Sequence, residues 1–268
     1  MTSEMAPDET TARGYADETQ YNVGRFRGVA LVSARDPVAG ELAAEAQSIL
    51  ADSGVGAGEC KWEKVRSAKG RFLADKLLTW ALAAAVAGRL RVDALTWDAG
   101  DSAHAGAGIP YLKKLHQMYG YLLAEALAHR WPDAAAWMLY PDEQDALRWE
   151  TIAAGLPRVA RIVPSASHRE PLIQLADLFA GLAVFSRAGY DTYEQWLCLP
   201  PEERRPPLDK PLANPPGFLS ASDRQRCLLL DDFYTRCKAR LPGISLRTNR
   251  GLRTYNPERA ITFRWESP

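Results

Sequence analysis

Read for the rhythm of apolar and polar residues, the chain begins as a hairpin. Arg13 to Asn22 and Arg25 to Ala34 are extended, partly alternating segments that meet at Asn22-Val23-Gly24. Glu41 to Leu50 then reads as a short helix closed by the Gly-rich run ADSGVGAGE. From Glu59 to Gly88, Trp62, Val65, Phe72, Leu73, Leu77 and Trp80 recur at helical spacing, with Gly88 as the stop. RVDALTW (91–97) reads as a buried strand ending at Asp98, and AGDSAHAGAGIP as a loop. A second long helix spans Tyr111 to Arg130 and stops at Pro132. The strand AAWMLY (135–140), a short helix from Asp145 to Ala154 and a strand from Arg158 to Val163 follow. Pro171 fits the first turn of the next helix. Pro200 to Pro216 is proline-dense and irregular, Ser220 to Leu241 is a helix, and the tail has room for one or two strands.

Strands and helices that alternate after an initial hairpin predict an α/β fold: a mixed sheet with helices on its faces. Residues 1–12 are expected to be a disordered lead-in, 13–190 the main domain, and 191–268 a helical and irregular extension packed on it.

The helix PLIQLADLFAGLAVFS (171–186) breaks the ordinary pattern. It is apolar nearly all round, which predicts burial, and Asp177 is its only charge. An uncompensated carboxylate there costs several kcal/mol, of the order of ~3–5, so a cation or a set of hydrogen bonds must meet it. Asp17 and Glu18 in GYADETQYN are a second acidic anomaly. Glu59 opens the Glu59–Gly88 segment, Asp98 ends a strand, and Asp142 follows another at Tyr140-Pro141. Strand ends converge on one edge of an open sheet, where such sheets keep their ligands. Hard oxygen ligands suit Mg2+ or Mn2+, and two such ions about 4 Å apart can drive phosphodiester hydrolysis.

Each acid also has a plain structural reading. Asp177 can pair with Arg169 or Lys61, and Glu59 can favour a helix first turn. Asp98 and Asp101 can serve a turn, as can Asp142. Glu18 should face away from Asp17, because neighbours on a strand point to opposite sides. Lys61 is a candidate for contacting phosphate or neutralising an acid, and His104 for shuttling protons.

Composition excludes more than it proposes. The chain has 268 residues, 47% hydrophobic and 25% charged, and no net charge, so the total gives no support for nucleic-acid binding. Between Arg247 and Arg264 five arginines stand against Glu258, a strip that can face phosphates; Arg247, Arg250 and Arg253 are its candidates for nucleic-acid contact, against the alternative of a solvated basic tail. Cys60, Cys198, Cys227 and Cys237 lack C-x-x-C spacing, which suggests reduced thiols and a cytoplasmic protein. No uninterrupted apolar run is long enough for a bilayer, and no signal-peptide pattern opens the chain. G-x-S-x-G, P-loop and dinucleotide fingerprints are missing from the sequence.

Ala16-Asp17-Glu18, Glu59-Cys60-Lys61-Trp62 and Gln174-Leu175-Ala176-Asp177-Leu178 together resemble the uncharacterised domain-of-unknown-function family 3800, placed among ribonuclease H-like proteins. Thr96-Trp97-Asp98 with Asp101-Ser102-x-His104, and Tyr140-Pro141-Asp142-Glu143, are weaker matches. Thr19-Gln20 departs from the Ser-Gly-like turn common in that family, which places the hairpin turn at Asn22 to Gly24. The resemblance implies a ribonuclease H-like fold and a Mg2+- or Mn2+-dependent nuclease acting on DNA or RNA. Asp17, Asp98 and Asp177 would be the principal metal ligands, with Glu59 as fourth acid and Glu18 or Asp142 in reserve. The rivals are a non-catalytic nucleic-acid- or protein-binding member of the same fold and a subunit of a larger complex with a protein partner.

Overall fold

In the computed structural model the described residues are 11–19, 24–53, 59–101, 111–143, 147–205, 217, 219–240 and 243–266. The elements in chain order are β1 (Thr11–Thr19), β2 (Phe26–Arg35), α1 (Val38–Asp52), α2 (Ala68–Val86), β3 (Arg91–Asp98), α3 (Tyr111–His129), β4 (Ala136–Pro141) and α4 (Trp149–Ala153). There follow β5 (Val159–Ile162), α5 (Pro171–Ala188), α6 (Tyr190–Leu197), α7 (Pro201–Arg204), α8 (Ala221–Arg240), β6 (Ile244–Ser245), β7 (Arg253–Thr254) and β8 (Ile261–Glu266).

Six strands form one sheet in the order β5-β4-β1-β2-β3-β8. β2 is antiparallel to both neighbours, while β4 runs parallel to β1, β5 to β4, and β8 to β3. All strands but β2 therefore point the same way. That order and those directions are the ribonuclease H-like arrangement, with β8 added beside β3. The C-terminal ends of β1, β4, β3 and β8 meet along one edge.

The alternation of side chains along β1 and β2 separates two cores. Tyr15, Ala30, Val32, Val92 and Ala94 face α1, α2, α5 and α8. Ala12, Ala16, Val29, Leu31, Leu95 and Trp97 face α3 and α4. α5 crosses β1, β2 and β3, and its residues from Pro171 to Ser186 are all buried. By length and composition this helix could cross a membrane, but here it is the central core helix.

Several expectations need correction. The helix expected from Glu59 begins only at Ala68, because Ser67 is its N-cap and accepts from Gly70 N at 3.2 Å. Residues 59–61 run as an extended strap into a short 3-10 turn at Trp62–Lys64. Phe72 lies outside the core, exposed beneath the Arg71 guanidinium at 4.2 Å. Thr11 and Ala12 already belong to β1, so any lead-in is shorter than twelve residues; residues 1–10 lie outside the described set. The segment expected as an extension supplies the sixth strand of the sheet. Most of the hairpin turn (residues 20–23), His104, and residues 206–216 of the proline-dense stretch also lie outside the described residues.

Candidate metal centre

Asp17 lies near the C-terminal end of β1, opposite Ala30, and so faces α5. It is buried, at 4% exposure. Its Oδ1 accepts from the amide of Glu18 at 2.7 Å, while its Oδ2 is buried without a hydrogen-bond partner among the described residues. Burial, then the charges of Asp177, Glu18 and Asp142, hold its carboxyl well above the usual range, with Lys61 opposing them. Asp177 projects from α5, and burial pushes it up to about 7, against the pull of the Trp62 amide and Lys61. One of its oxygens, Oδ2, accepts a short bond from Trp62 N.

The strap brings the compensating cation. Lys61 Nζ is 3.0 Å from Asp142 Oδ2 and 4.0 Å from Asp17 Oδ2. Burial alone would lower this lysine, but Asp17, Asp142 and Asp177 overrule it and hold the ammonium raised. The flanking residues fix the strap on both sides. Cys60 N donates to Gln174 Oε1 at 2.7 Å, and Gln174 Nε2 donates to Ser167 O at 2.8 Å. The Trp62 indole lies so close to Gly181 that a Cβ there would fall 2.0 Å from its Cγ. Glycine in mid-helix costs about 0.5–1 kcal/mol, and this close approach is what it permits.

Asp142 completes the group from just beyond β4. Its amide donates to Ala16 O at 2.8 Å, and its Oδ1 accepts from Ser167 N at 3.0 Å. Glu59 stands at the rim of the strap. Its Oε1 accepts from Ser167 Oγ at 2.6 Å, its Oε2 is 3.8 Å from Lys64 Nζ, and the Ser167 hydroxyl draws its carboxyl below the ordinary value. Glu18 points to the opposite face of the sheet, as strand alternation requires, and there accepts a short bond from Tyr119 OH. Burial and Glu18 raise that phenol.

Asp17, Asp142, Asp177 and Lys61 thus meet, with Glu59 at the margin and Glu18 behind. Asp98 does not join them. It lies across β2 from β1 and four residues further along β3 than the level of Asp17, roughly 16 Å away by strand geometry. Arg25 takes it instead, with Nε at 2.9 and 3.0 Å from the two carboxylate oxygens and Nη2 at 2.7 Å from Oδ2. Gly100 N adds a further bond at 2.9 Å, and these contacts, Arg25 first, depress its pKa. Asp101 lies beside Asp98, its amide donating to the Asp98 carbonyl.

Among the described residues no three His, Cys, Asp or Glu side chains stand ready as a metal-binding group. In kind, the donors fit a hard divalent cation: they are carboxylate oxygens, and one of them, Asp17 Oδ2, is buried without a hydrogen-bond partner among the described residues.

A second cluster lies on the same sheet edge, ten residues or about 15 Å along α5 from Asp177. The Arg187 guanidinium stands 3.9 Å over Trp265 and 5.2 Å over Phe26. Arg253 is 5.5 Å from Trp265 and 5.0 Å from Tyr255. Among the described residues neither arginine has an acidic partner within 4.0 Å; burial first, and then Arg25, Arg253 and Arg250, lower Arg187 despite Asp98. Arg250 stacks over Tyr190 at 4.8 Å but is paired with Asp191, and Arg247 is exposed. The sequence signalled the tail arginines but not Arg187 or its aromatic platform. Ser167 left no signal either. Gln174, a polar residue three positions before Asp177 and so on the same helix face, did.

The fold and the gathered acids define the class: a ribonuclease H-like α/β protein with a buried carboxylate centre at the C-terminal edge of its sheet. The chain belongs to one family with two uncharacterized proteins of Methanothermobacter thermautotrophicus. It is 32% identical to ORF2′ and 30% identical to ORF2, in each case over 93% of this chain and 92% of the relative. No family model matches it. Among solved structures it is similar to an Archaeoglobus fulgidus ribonuclease HII determined in complex with PCNA, at 13% identity and a TM-score of 0.45, over 72% of this chain and 83% of that one. The fold assignment rests on strand order and direction, not on that likeness.

Proposed function

We propose that this protein is a divalent-metal-dependent nuclease that hydrolyses phosphodiester bonds in DNA or RNA. The observation that carries the reading is Asp17 Oδ2, a buried carboxylate oxygen without a hydrogen-bond partner among the described residues, near the buried Asp177 and the half-buried Asp142. A fold keeps such an arrangement at a cost of a few kcal/mol, of the order of ~1–3, and that cost marks functional sites. Bound Mg2+ or Mn2+ would activate a water and stabilise charge on the scissile phosphate. Asp17 and Asp177 would hold it, with Asp142 kept in place by Ser167 and Lys61. Lys61 would offset the negative charge that approaches with a phosphodiester. Glu59, with Lys64 beside it, sits where it can order the strap but not among the inner ligands. Asp98 acts, in this reading, by holding Arg25 at the basic edge.

Arg187, Arg253 and the exposed Arg247 favour a nucleic acid as substrate. Guanidinium groups over Trp265, Phe26 and Tyr255 offer both phosphate contact and stacking. In this reading the chain is a divergent member of domain-of-unknown-function family 3800, since the motifs of that resemblance supply Asp17, Lys61 and Asp177. The lysine between the acids favours a second reading, a non-catalytic nucleic-acid-binding member of the same fold.

The test is cleavage of labelled single- and double-stranded DNA and RNA with Mn2+, Mg2+ or EDTA, wild type against Asp177→Asn. The asparagine keeps an oxygen for the Trp62 amide, so the variant should fold. Metal-dependent cutting that falls at least about 100-fold in the variant supports the nuclease. Binding without cutting on every substrate leaves the second reading.

A further inference from the structure

A two-ion centre needs carboxylates to share, and here most are committed. Asp142 uses Oδ1 on the Ser167 amide and Oδ2 on Lys61. Glu59 uses Oε1 on the Ser167 hydroxyl, with Lys64 beside Oε2. Glu18 is turned to the other face, on Tyr119. Asp98 belongs to Arg25. Among the described residues, Asp17 Oδ2 is buried without a hydrogen bond, and the bond to Asp177 is on its Oδ2, which leaves its Oδ1 uncommitted there. Two donors from two residues can anchor one ion, not a bridged pair.

Lys61 is also no mobile surface arm. Its own neighbours, Cys60 and Trp62, are tied through their amides to Gln174 and Asp177, and Trp62 is locked onto Gly181. The side chain is 23% exposed, and its ammonium reaches two of the three inner acids. It therefore sits as a fixed positive charge where a second cation would have to stand.

We propose that the centre takes a single divalent ion, held by Asp17 and Asp177, and that the Lys61 ammonium permanently fills the place of the second. This rests on the metal-dependent reading above and narrows it from two ions to one ion and a lysine. Lys61 is then a positioning residue for the ion and for Asp142, and its removal should change how many ions bind.

The test is Mn2+ titration of the full chain by calorimetry, with electron paramagnetic resonance to detect spin coupling between neighbouring ions. Wild type, Lys61→Met and Lys61→Arg are compared, with circular dichroism to confirm folding. Wild type and Lys61→Arg should bind one uncoupled ion per chain, and Lys61→Met, which frees Asp142 Oδ2, should bind two that are coupled. Two coupled ions in wild type would overturn the lysine's role while leaving a metal centre. One ion in a folded Lys61→Met would overturn it as well. No ion in wild type would instead overturn the metal-dependent reading itself. If Lys61→Met does not fold, the wild-type count still decides between one ion and two.

Discussion

Asp93 and Asp17 are both buried acids on central strands of one sheet, and they have opposite surroundings. Asp93, on β3, is 2% exposed and completely met. Arg130 donates to it through Nε at 2.9 Å and Nη2 at 2.8 Å, and Thr262 Oγ1 donates at 2.6 Å. Those contacts tie the end of α3, β3 and β8 together. Asp17, on β1, has its neighbour's amide on one oxygen and, among the described residues, no hydrogen bond on the other; the Lys61 ammonium at 4.0 Å is shared with Asp142. Burial therefore does not distinguish a fully partnered acid from an incompletely partnered one. The set of hydrogen bonds each carboxylate accepts does.

The largest effect that sharpens this contrast comes from the satisfied pair. Arg130→Met should cost about 3–5 kcal/mol, because it leaves Asp93 buried and unpaired. Urea unfolding measures this, and a loss below about 1 kcal/mol would mean that Asp93 is not a structural anchor. Next comes the strap. Gly181→Ala places a methyl inside the Trp62 indole and should cost about 1–3 kcal/mol. Near-ultraviolet circular dichroism should change with it, as Trp62 leaves its seat; an unchanged spectrum at full stability would contradict the close approach.

The centre around Asp17 should also respond to pH. Asp177 is raised to about 7 in the fold, and Asp17 is raised too, whereas both are ordinary carboxylates once unfolded. Between pH 4 and 7 the folded state then holds more protons than the unfolded one, so their contribution to stability is greatest below about pH 4 and is lost as pH rises through 7. Metal-free protein containing Asp177→Asn should lose part of that slope in thermal scans from pH 4 to 8, while an identical slope would remove Asp177 as its source. The smallest effect concerns the basic edge. Arg187→Ala and Arg253→Ala should each lower the salt-dependence slope of nucleic-acid binding by about 1 if each meets one phosphate. Filter binding across salt concentrations, in the Asp177→Asn background, reads it out.

The acids were legible in the sequence to the extent that their contrast was local. Asp177 is the one charge in the apolar run from Pro171 to Ser186, and Lys61 was a candidate neutraliser. Asp98 was misplaced because the turn after β3 looks like a site from within its own segment, and Arg25, which claims it, is 73 residues away. Asp93 passed unnoticed inside RVDALTW for the same reason: Arg130 and Thr262 are distant in sequence. Glu59 read as the opening of a helix because Trp62 and Val65 continue the helical spacing of α2 backwards across the strap. Only the Ser67 cap and the ties to Gln174 and Asp177 break that continuity. The order of elements, which local periodicity does carry, came through well; β8 joining the sheet beside β3 depended on long-range pairing.

The most direct test of the central claim, that the buried acids are a cation centre and not structural, is thermal unfolding of wild type and Asp17→Asn in EDTA and in saturating Mn2+. In EDTA, Asp17→Asn should be the more stable protein by about 0.5–2 kcal/mol, since it replaces a buried carboxyl whose Oδ2 accepts no hydrogen bond among the described residues. Mn2+ at about a hundred times its Kd should then stabilise the wild type by about 2.7 kcal/mol and the variant little. A wild type indifferent to Mn2+, with Asp17→Asn the weaker protein in EDTA, would contradict the account and make Asp17 a structural acid like Asp93.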